Sequence, residues 1–153
     1  MNLGYIAGEI CKKVFPIPED RVFGNASSNV AVCTLSSIDL LKEISNSDIM
    51  HKIAIAARLL SENKGIDELV RFVSQNPNLN TIIMCGKEVS GHKTGHALFC
   101  LHKYGIDDNN RIINSVSPDP VLSVSKKEIS AFQKIQLIDM IGQTRLENIV
   151  SII

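Results

Sequence analysis

The sequence predicts a single α/β domain of Rossmann-like type, a mostly parallel sheet with helices on both faces. Three observations carry this. Short β-branched segments alternate along the chain with apolar stripes at helical spacing. The strand segments are apolar almost without interruption, as strands buried on both faces must be. With 153 residues, 44% of them hydrophobic, the chain is long enough to bury a core without disulfide or zinc staples.

Residues 1–28 hold Pro16, Pro18 and Asn25 and show little periodicity, so they read as an N-terminal arm laid over a domain that runs from 29 to 153. Asn29–Leu35 is the first buried strand, and Ile38–Ile44 follows as a helix with Leu40, Leu41 and Ile44 on one side. In Lys52–Leu60 the Ile-Ala-Ile alternation and the polar break at 61–65 favour a strand. Ile66, Leu69, Val70 and Val73 form an i, i+3, i+4, i+7 stripe that Asn76-Pro77-Asn78 ends. Thr81–Cys85 is a further strand, and Ala97, Leu98 and Leu101 mark a helix that Gly105 terminates. Ser125 with Glu128, and Thr144 with Glu147, have capping-box spacing, with a strand over Ile135–Ile141 between them. The last stripe, Leu146, Ile149, Val150 and Ile153, requires a partner surface.

Sixteen Lys+Arg balance sixteen Asp+Glu, which argues against a nucleic-acid or anionic-membrane binder, since either needs a cationic excess. No unbroken apolar run exceeds five residues, far short of the ~20 that span a bilayer. Glu9, Lys12 and Lys13 leave no apolar core for a signal peptide. The four cysteines lack CxxC spacing and read as buried small hydrophobes of a cytoplasmic protein.

Ligands of such sheets bind beyond the carboxyl ends of the strands. Three loops fall there, containing Ser36, then Ser61, Glu62, Asn63 and Gly65, then Gly86 to Gly95. The third packs Gly86, Lys87, Glu88, Val89, Gly91, His92, Thr94 and Gly95 between a strand and a helix, where backbone N–H groups and the helix dipole meet. One reading is a degenerate phosphate loop, since Gly86 and Gly91 have P-loop spacing; His92, however, displaces Lys93-Thr94 by one residue. A second is zinc on His92 and His96, completed by Cys85, Glu88 or His102. A third uses His92 alone as axial ligand to a metal whose equatorial positions a macrocycle fills, heme and corrinoid being equivalent on residue chemistry.

The run Cys85-Gly-Lys-Glu-Val-Ser-Gly-His92-Lys-Thr-Gly95 resembles the signature loop of the A subunit of tetrahydromethanopterin S-methyltransferase, the corrinoid carrier of a sodium-pumping archaeal methyltransferase. Val30–Ser36, Glu62–Ile66, Asn76-Pro77-Asn78, His102–Asp107 and Asn110–Ile113 agree in order, so the likeness covers about Gly24 to Ile141. The resemblance implies that His92 is the cobalt ligand of a cobamide, either cobalamin or 5-hydroxybenzimidazolylcobamide. Ser36, Ser61–Asn63, Gly65, Gly86–Val89, Gly91, Thr94 and Gly95 would then surround that cofactor. It also implies a shuttle that carries a methyl group on cobalt from a tetrahydropterin-type donor to a thiolate. A pterin-binding subunit and a thiol-acceptor subunit would be its partners. A carrier of cobamide without methyl transfer is the non-enzyme counterpart. His96 falls where the family pattern carries glutamine. Two departures stand out: Ser115–Ser123 differs from the family's glycine- and alanine-rich stretch, and no hydrophobic anchor follows the domain. The chain is then either a soluble homologue or an excised cytoplasmic domain, and a cytoplasmic, soluble homologue is the expectation.

Overall fold

The computed structural model describes residues 20–153. Five strands, β1 (Arg21–Phe23), β2 (Val30–Cys33), β3 (Ile55–Ala57), β4 (Thr81–Met84) and β5 (Gln136–Asp139), form one sheet in the order β1-β3-β2-β4-β5. β3, β2, β4 and β5 are parallel, and β1 pairs antiparallel with β3 at the edge. The expected mostly parallel α/β domain is therefore what forms. Within the stretch read as an arm, Arg21–Phe23 is itself a strand of the sheet.

The helices are α1 (Ile38–Ser45), α2 (Lys64–Gln75), α3 (Thr94–Tyr104), α4 (Lys126–Gln133) and α5 (Leu146–Val150), with a 3₁₀ turn at Asp48–His51. From β2 the chain steps to β3 on one side, then crosses to β4 and β5 on the other. Because crossovers are right-handed, that reversal sends α1 to one face and α2, α3 and α4 to the opposite one. Strand side chains sort accordingly. Val32, Ala56 and Ile83 pack with Leu40, Leu41 and Ile44 of α1 and with Ile149 of α5. Ala31, Cys33, Ile55, Ile82 and Met84 pack with Ile66, Val70, Leu98, Leu101 and Phe132. This two-sided burial explains the unbroken apolar runs in the sequence. It also supplies the partner for the last apolar stripe: Ile149 is fully buried under α1, while Val150 stays exposed.

The Ser125/Glu128 capping box is present at α4. The one expected at Thr144/Glu147 is not: α5 begins at Leu146 with Arg145 as its cap, which moves Glu147 one position too near the start to reach back. No helix among the described residues is long and apolar enough to cross a membrane.

The reversal of strand order between β2 and β4 is the topological switch point, where ligand crevices of open sheets form. Here the two strand ends are sewn together. Ser36 N–H and Oγ both donate to the Lys87 carbonyl (3.1 and 2.8 Å), and Lys87 N–H donates to Ser37 Oγ (2.9 Å). Gly86 makes the close approach possible. Its φ is +74°, and a Cβ there would stand 2.2 Å from the Thr34 carbonyl oxygen.

Candidate functional site

The loop between β4 and α3 wraps around its own acidic residue. Glu88 Oε1 accepts from Val89 and Gly95 N–H (2.8 and 2.9 Å), and Oε2 accepts from His96 N–H (2.9 Å). A carboxylate thus sits on the positive end of α3 and satisfies its first amides. Those are the donors that a phosphate loop would offer to a ligand, so the loop is a cradle that the chain fills itself. Lys93 caps α3 in left-handed conformation (φ 52°), and Gly91 turns the loop at φ +80° with open space where a Cβ would be.

These turns hold His92 just ahead of α3. Its ring Nδ1 lies 2.9 Å from Oε2 of Glu62, in the loop between β3 and α2. The environments differ sharply: the Glu62 side chain is 3% exposed and that of His92 is 54% exposed. Glu62 Oε1 accepts from Asp119 N–H (3.0 Å). Burial acts to raise the Glu62 pKa, but hydrogen bonds from its own and Asp119's backbone N–H, together with His92, outweigh it. The carboxyl is held below its ordinary value. An ionised carboxylate can only accept, so Nδ1 carries a proton and Nε2 is the ring nitrogen turned away from Glu62.

Glu62 owes its position to its neighbours. Ser61 Oγ accepts from Gly65 N–H (2.7 Å) and Asn63 Oδ1 from Lys64 N–H (2.7 Å), so both flanking residues cap α2. The segment leading to α4 closes the site from the third side. Asn63 Nδ2 donates to the Asp119 carbonyl (3.1 Å), and Ser117 Oγ donates to the Lys93 carbonyl (3.2 Å). Buried Asp67 on α2 accepts from Ser123 N–H and Oγ and from Val124 N–H, which pins the far end of that segment.

A half-exposed imidazole with one nitrogen tied to a buried carboxylate and the other free is a metal ligand's arrangement, with its orienting partner already in place. His92 is the only such group in the signature loop. The sequence profile of the MtrA family, the A subunit of tetrahydromethanopterin S-methyltransferase, matches residues 11–153. The chain belongs to this family. It is 35% identical over 137 residues to the protein named as the A subunit of methyltransferase Mtx in Methanosarcina barkeri, covering 88% of this chain and 65% of that one. It is 35% identical over 136 residues to tetrahydromethanopterin S-methyltransferase A-subunit 2 of Methanothermobacter marburgensis, covering 82% of this chain and 71% of the relative. The corresponding A subunit of Methanocaldococcus jannaschii is 35% identical over 125 residues, half of that protein's length. The chain therefore spans roughly half to seven tenths of the relatives it matches.

Within this MtrA fold, the residues expected around a ligand divide into two groups. His92 and Glu62 meet, as described. Ser36, Ser61, Asn63, Gly86, Lys87 and Glu88 also lie at the strand ends, but their hydrogen-bonding groups named above are engaged within the protein. Glu88 neither pairs with Lys87 nor points into solvent; it caps α3. Thr94 and Gly95 are buried in the first turn of α3, Val89 is buried beneath the loop, and Gly65 is half-buried at the start of α2. The Thr94 hydroxyl, like that of Thr34, is buried without a partner among the described residues. His96 lies one turn beyond His92 with its ring beside Cys100 Sγ (3.7 Å), away from Glu62. Among the described residues no three His, Cys, Asp or Glu side chains converge as a metal cluster.

His102, one of the residues named for a zinc set, instead donates from Nε2 to the Ile135 carbonyl (2.7 Å) and stands edge-on to Phe132. Asp139, within the strand expected over Ile135–Ile141, is exposed and accepts from Ile141 N–H (3.0 Å) at the strand's end. The residues that pattern reading misses are Ser117 and Asp119. They lie in the stretch that departs from the family pattern, and Asp119 acts through backbone groups that no residue motif records.

Proposed function

We propose that this chain carries a cobamide, cobalamin or 5-hydroxybenzimidazolylcobamide, with His92 as axial ligand to cobalt, and serves as the corrinoid-bearing subunit of a methyltransferase. The observation that supports it most is the Glu62–His92 pair at the sheet's carboxyl end, in a chain of the MtrA family. Bound cobamide would supply a cobalt that takes up and gives up a methyl group.

The residues fit this use. The imidazole is half-exposed, so a flat macrocycle can approach it from outside without a buried cavity. Glu62 holds the proton at Nδ1 and fixes the tautomer, leaving Nε2 to meet the metal. Ser117 and Asp119 brace the carboxylate and the loop, which limits the ring's freedom to turn away. A single protein ligand suffices because the macrocycle brings the others.

Among the described residues no separate cleft for a pterin or a thiol opens beside the His92 ring. Methyl donor and acceptor would be activated on other subunits, in keeping with the relatives' names, which make each of them one part of a larger enzyme. The test is direct. The full chain is incubated with cobalamin, desalted, and its visible spectrum recorded. A retained cofactor in roughly one-to-one ratio is the expected result; colourless protein with no calorimetric signal would refute the proposal.

A further inference from the structure

Among the described residues the most exposed large apolar side chain is Val116, at 68%. Its segment is tied down on both sides. Asn114 takes a left-handed conformation (φ 66°), and its carbonyl accepts from Cys100 Sγ (3.6 Å). Ser115 Oγ accepts from Ser117 N–H (3.2 Å), and buried Ser117 donates from Oγ to the Lys93 carbonyl (3.2 Å). Asp119 N–H donates to Glu62 Oε1 (3.0 Å). Pro118 and Pro120 fix their own φ and restrict the residues before them. A valine held out to water by so constrained a backbone gains when something apolar covers it, and little freedom is lost in the covering.

The same bonds fix where Val116 stands. Ser117 is bonded to Lys93, and Val116 and His92 are the residues immediately before that pair, each one peptide step from the same hydrogen bond. Asp119 and His92 meet on the two oxygens of Glu62. Residues 117–119 therefore run between Lys93 and Glu62, the two neighbours of the imidazole, and Val116 stands at the Lys93 end.

We propose that Val116 is an apolar contact of the macrocycle that His92 ligates, packed against the methyl-bearing part of the corrin ring; this rests on the cobamide reading above. A macrocycle is wider than one imidazole, so a ring held on a half-exposed histidine covers the surface next to that histidine too. A corrin carries methyl groups on its ring and amides on its arms. The hydrogen-bonding groups of Ser36, Ser61 and Asn63 are engaged within the protein, so apolar contact is what Val116 adds at this edge. Because Ser115–Ser123 departs from the family's glycine- and alanine-rich stretch, the contact belongs to this chain and not to the family pattern.

The experiment loads the full chain, carrying methyl-labelled valine, with cobalamin. Nuclear Overhauser contacts between the Val116 methyls and corrin methyls are the expected result. Cobalamin retained without them would overturn this inference and leave the cobamide reading standing, whereas a chain that retains no cobalamin would overturn both. By calorimetry, Val116→Ser should weaken cobalamin roughly tenfold and Val116→Ile should not. Val150→Ser, at a valine 46% exposed on the sheet's other face, should leave the affinity unchanged. The Tm of unloaded Val116→Ser should equal that of the parent chain. Its histidine nitrogen should stay on cobalt, read by electron paramagnetic resonance of Co(II) protein carrying nitrogen-15 histidine. Equal affinity in Val116→Ser and the parent chain would leave the valine uncovered and sink the proposal. Loss of the histidine nitrogen, or a lowered Tm, would do so as well, since either makes Val116 a support for the fold rather than a contact of the ring.

Discussion

Oε2 of Glu62 and Nδ1 of His92 stand 2.9 Å apart, the carboxylate buried and the imidazole half in solvent. Thirty residues separate them in the chain, yet each explains the other. An ionised carboxylate so deeply buried needs donors, and the imidazole beside it has its Nδ1 proton held and its ring fixed in return.

His92→Ala should remove the histidine nitrogen from cobamide cobalt and leave its place to water or the cofactor's own base, while His96→Ala should leave the histidine bound, because His96 stands a turn away beside Cys100. Electron paramagnetic resonance of the Co(II) form, in protein carrying nitrogen-15 histidine, reads this directly, since a labelled histidine nitrogen splits the cobalt lines into doublets whereas the cofactor's own base gives triplets. His92→Gly with added nitrogen-15 imidazole should restore the doublets. Their survival in His92→Ala and loss in His96→Ala would reassign the ligand.

Glu62 should make folding acid-sensitive. Its folded-state pKa lies below the ordinary 4.5, so the folded state favours the carboxylate. The stabilisation is full above the unfolded pKa and is lost as pH falls through the lower, folded value. Glu62→Gln should flatten this part of the acid limb in urea unfolding followed by circular dichroism. Glu62→Ala, which leaves the Asp119 N–H without its acceptor, should cost about 1–3 kcal/mol near neutral pH. A wild-type acid limb unchanged by Glu62→Gln would exclude this residue as its source.

Two glycines of the loop should respond differently to alanine. Gly91→Ala meets open space and bears only the strain of its φ of +80°, about 1–3 kcal/mol. Gly86→Ala adds a Cβ 2.2 Å from the Thr34 carbonyl, where backbone must move, and should be the more destabilising by a clear margin. Thermal unfolding of the two variants side by side decides this, and equal losses would mean that the β2 and β4 ends yield easily.

Cys33 and Cys85 should be inert. Burial pushes both thiols up to about 12, so almost no thiolate exists at pH 8. Iodoacetamide at that pH, followed by mass spectrometry, should leave both unmodified in native protein and label both in urea. Native labelling of either would show that the strand ends open readily.

Much of the fold is legible in the sequence because periodicity reports burial. Burial alone locates all four parallel strands and α1 to α3, and the capping box at Ser125 locates α4, since each signal depends on neighbours within a few residues. The glycine-flanked loop likewise marks His92. Hydrogen-bond partners across the fold leave no such trace. Glu88, adjacent to Lys87 and near His92 in the chain, has the chemistry to meet a ligand; only the folded loop turns its carboxylate onto the amides of residues 89, 95 and 96. Ser36 and Ser61 have hydroxyls suited to meeting a ligand, but Ser36 Oγ donates across the two strand ends to the Lys87 carbonyl and Ser61 Oγ accepts from Gly65 N–H at the start of α2.

Thr144 fails as a cap for a related reason. The Gly86 carbonyl and N–H hold residues 142 and 143 by hydrogen bonds of 2.7 Å each, and after that anchored turn α5 begins only at Leu146. Local chemistry thus suffices for the α/β alternation, the two-sided sheet and the histidine at its carboxyl end, since hydrophobic patterning and turn residues act over a few positions. Long-range folding makes the other choices: Glu62 orients that histidine, Asp119 braces Glu62, and Glu88 closes the helix end. A buried carboxylate takes whichever donors the folded chain brings within about 3 Å, and those come from any distance along it.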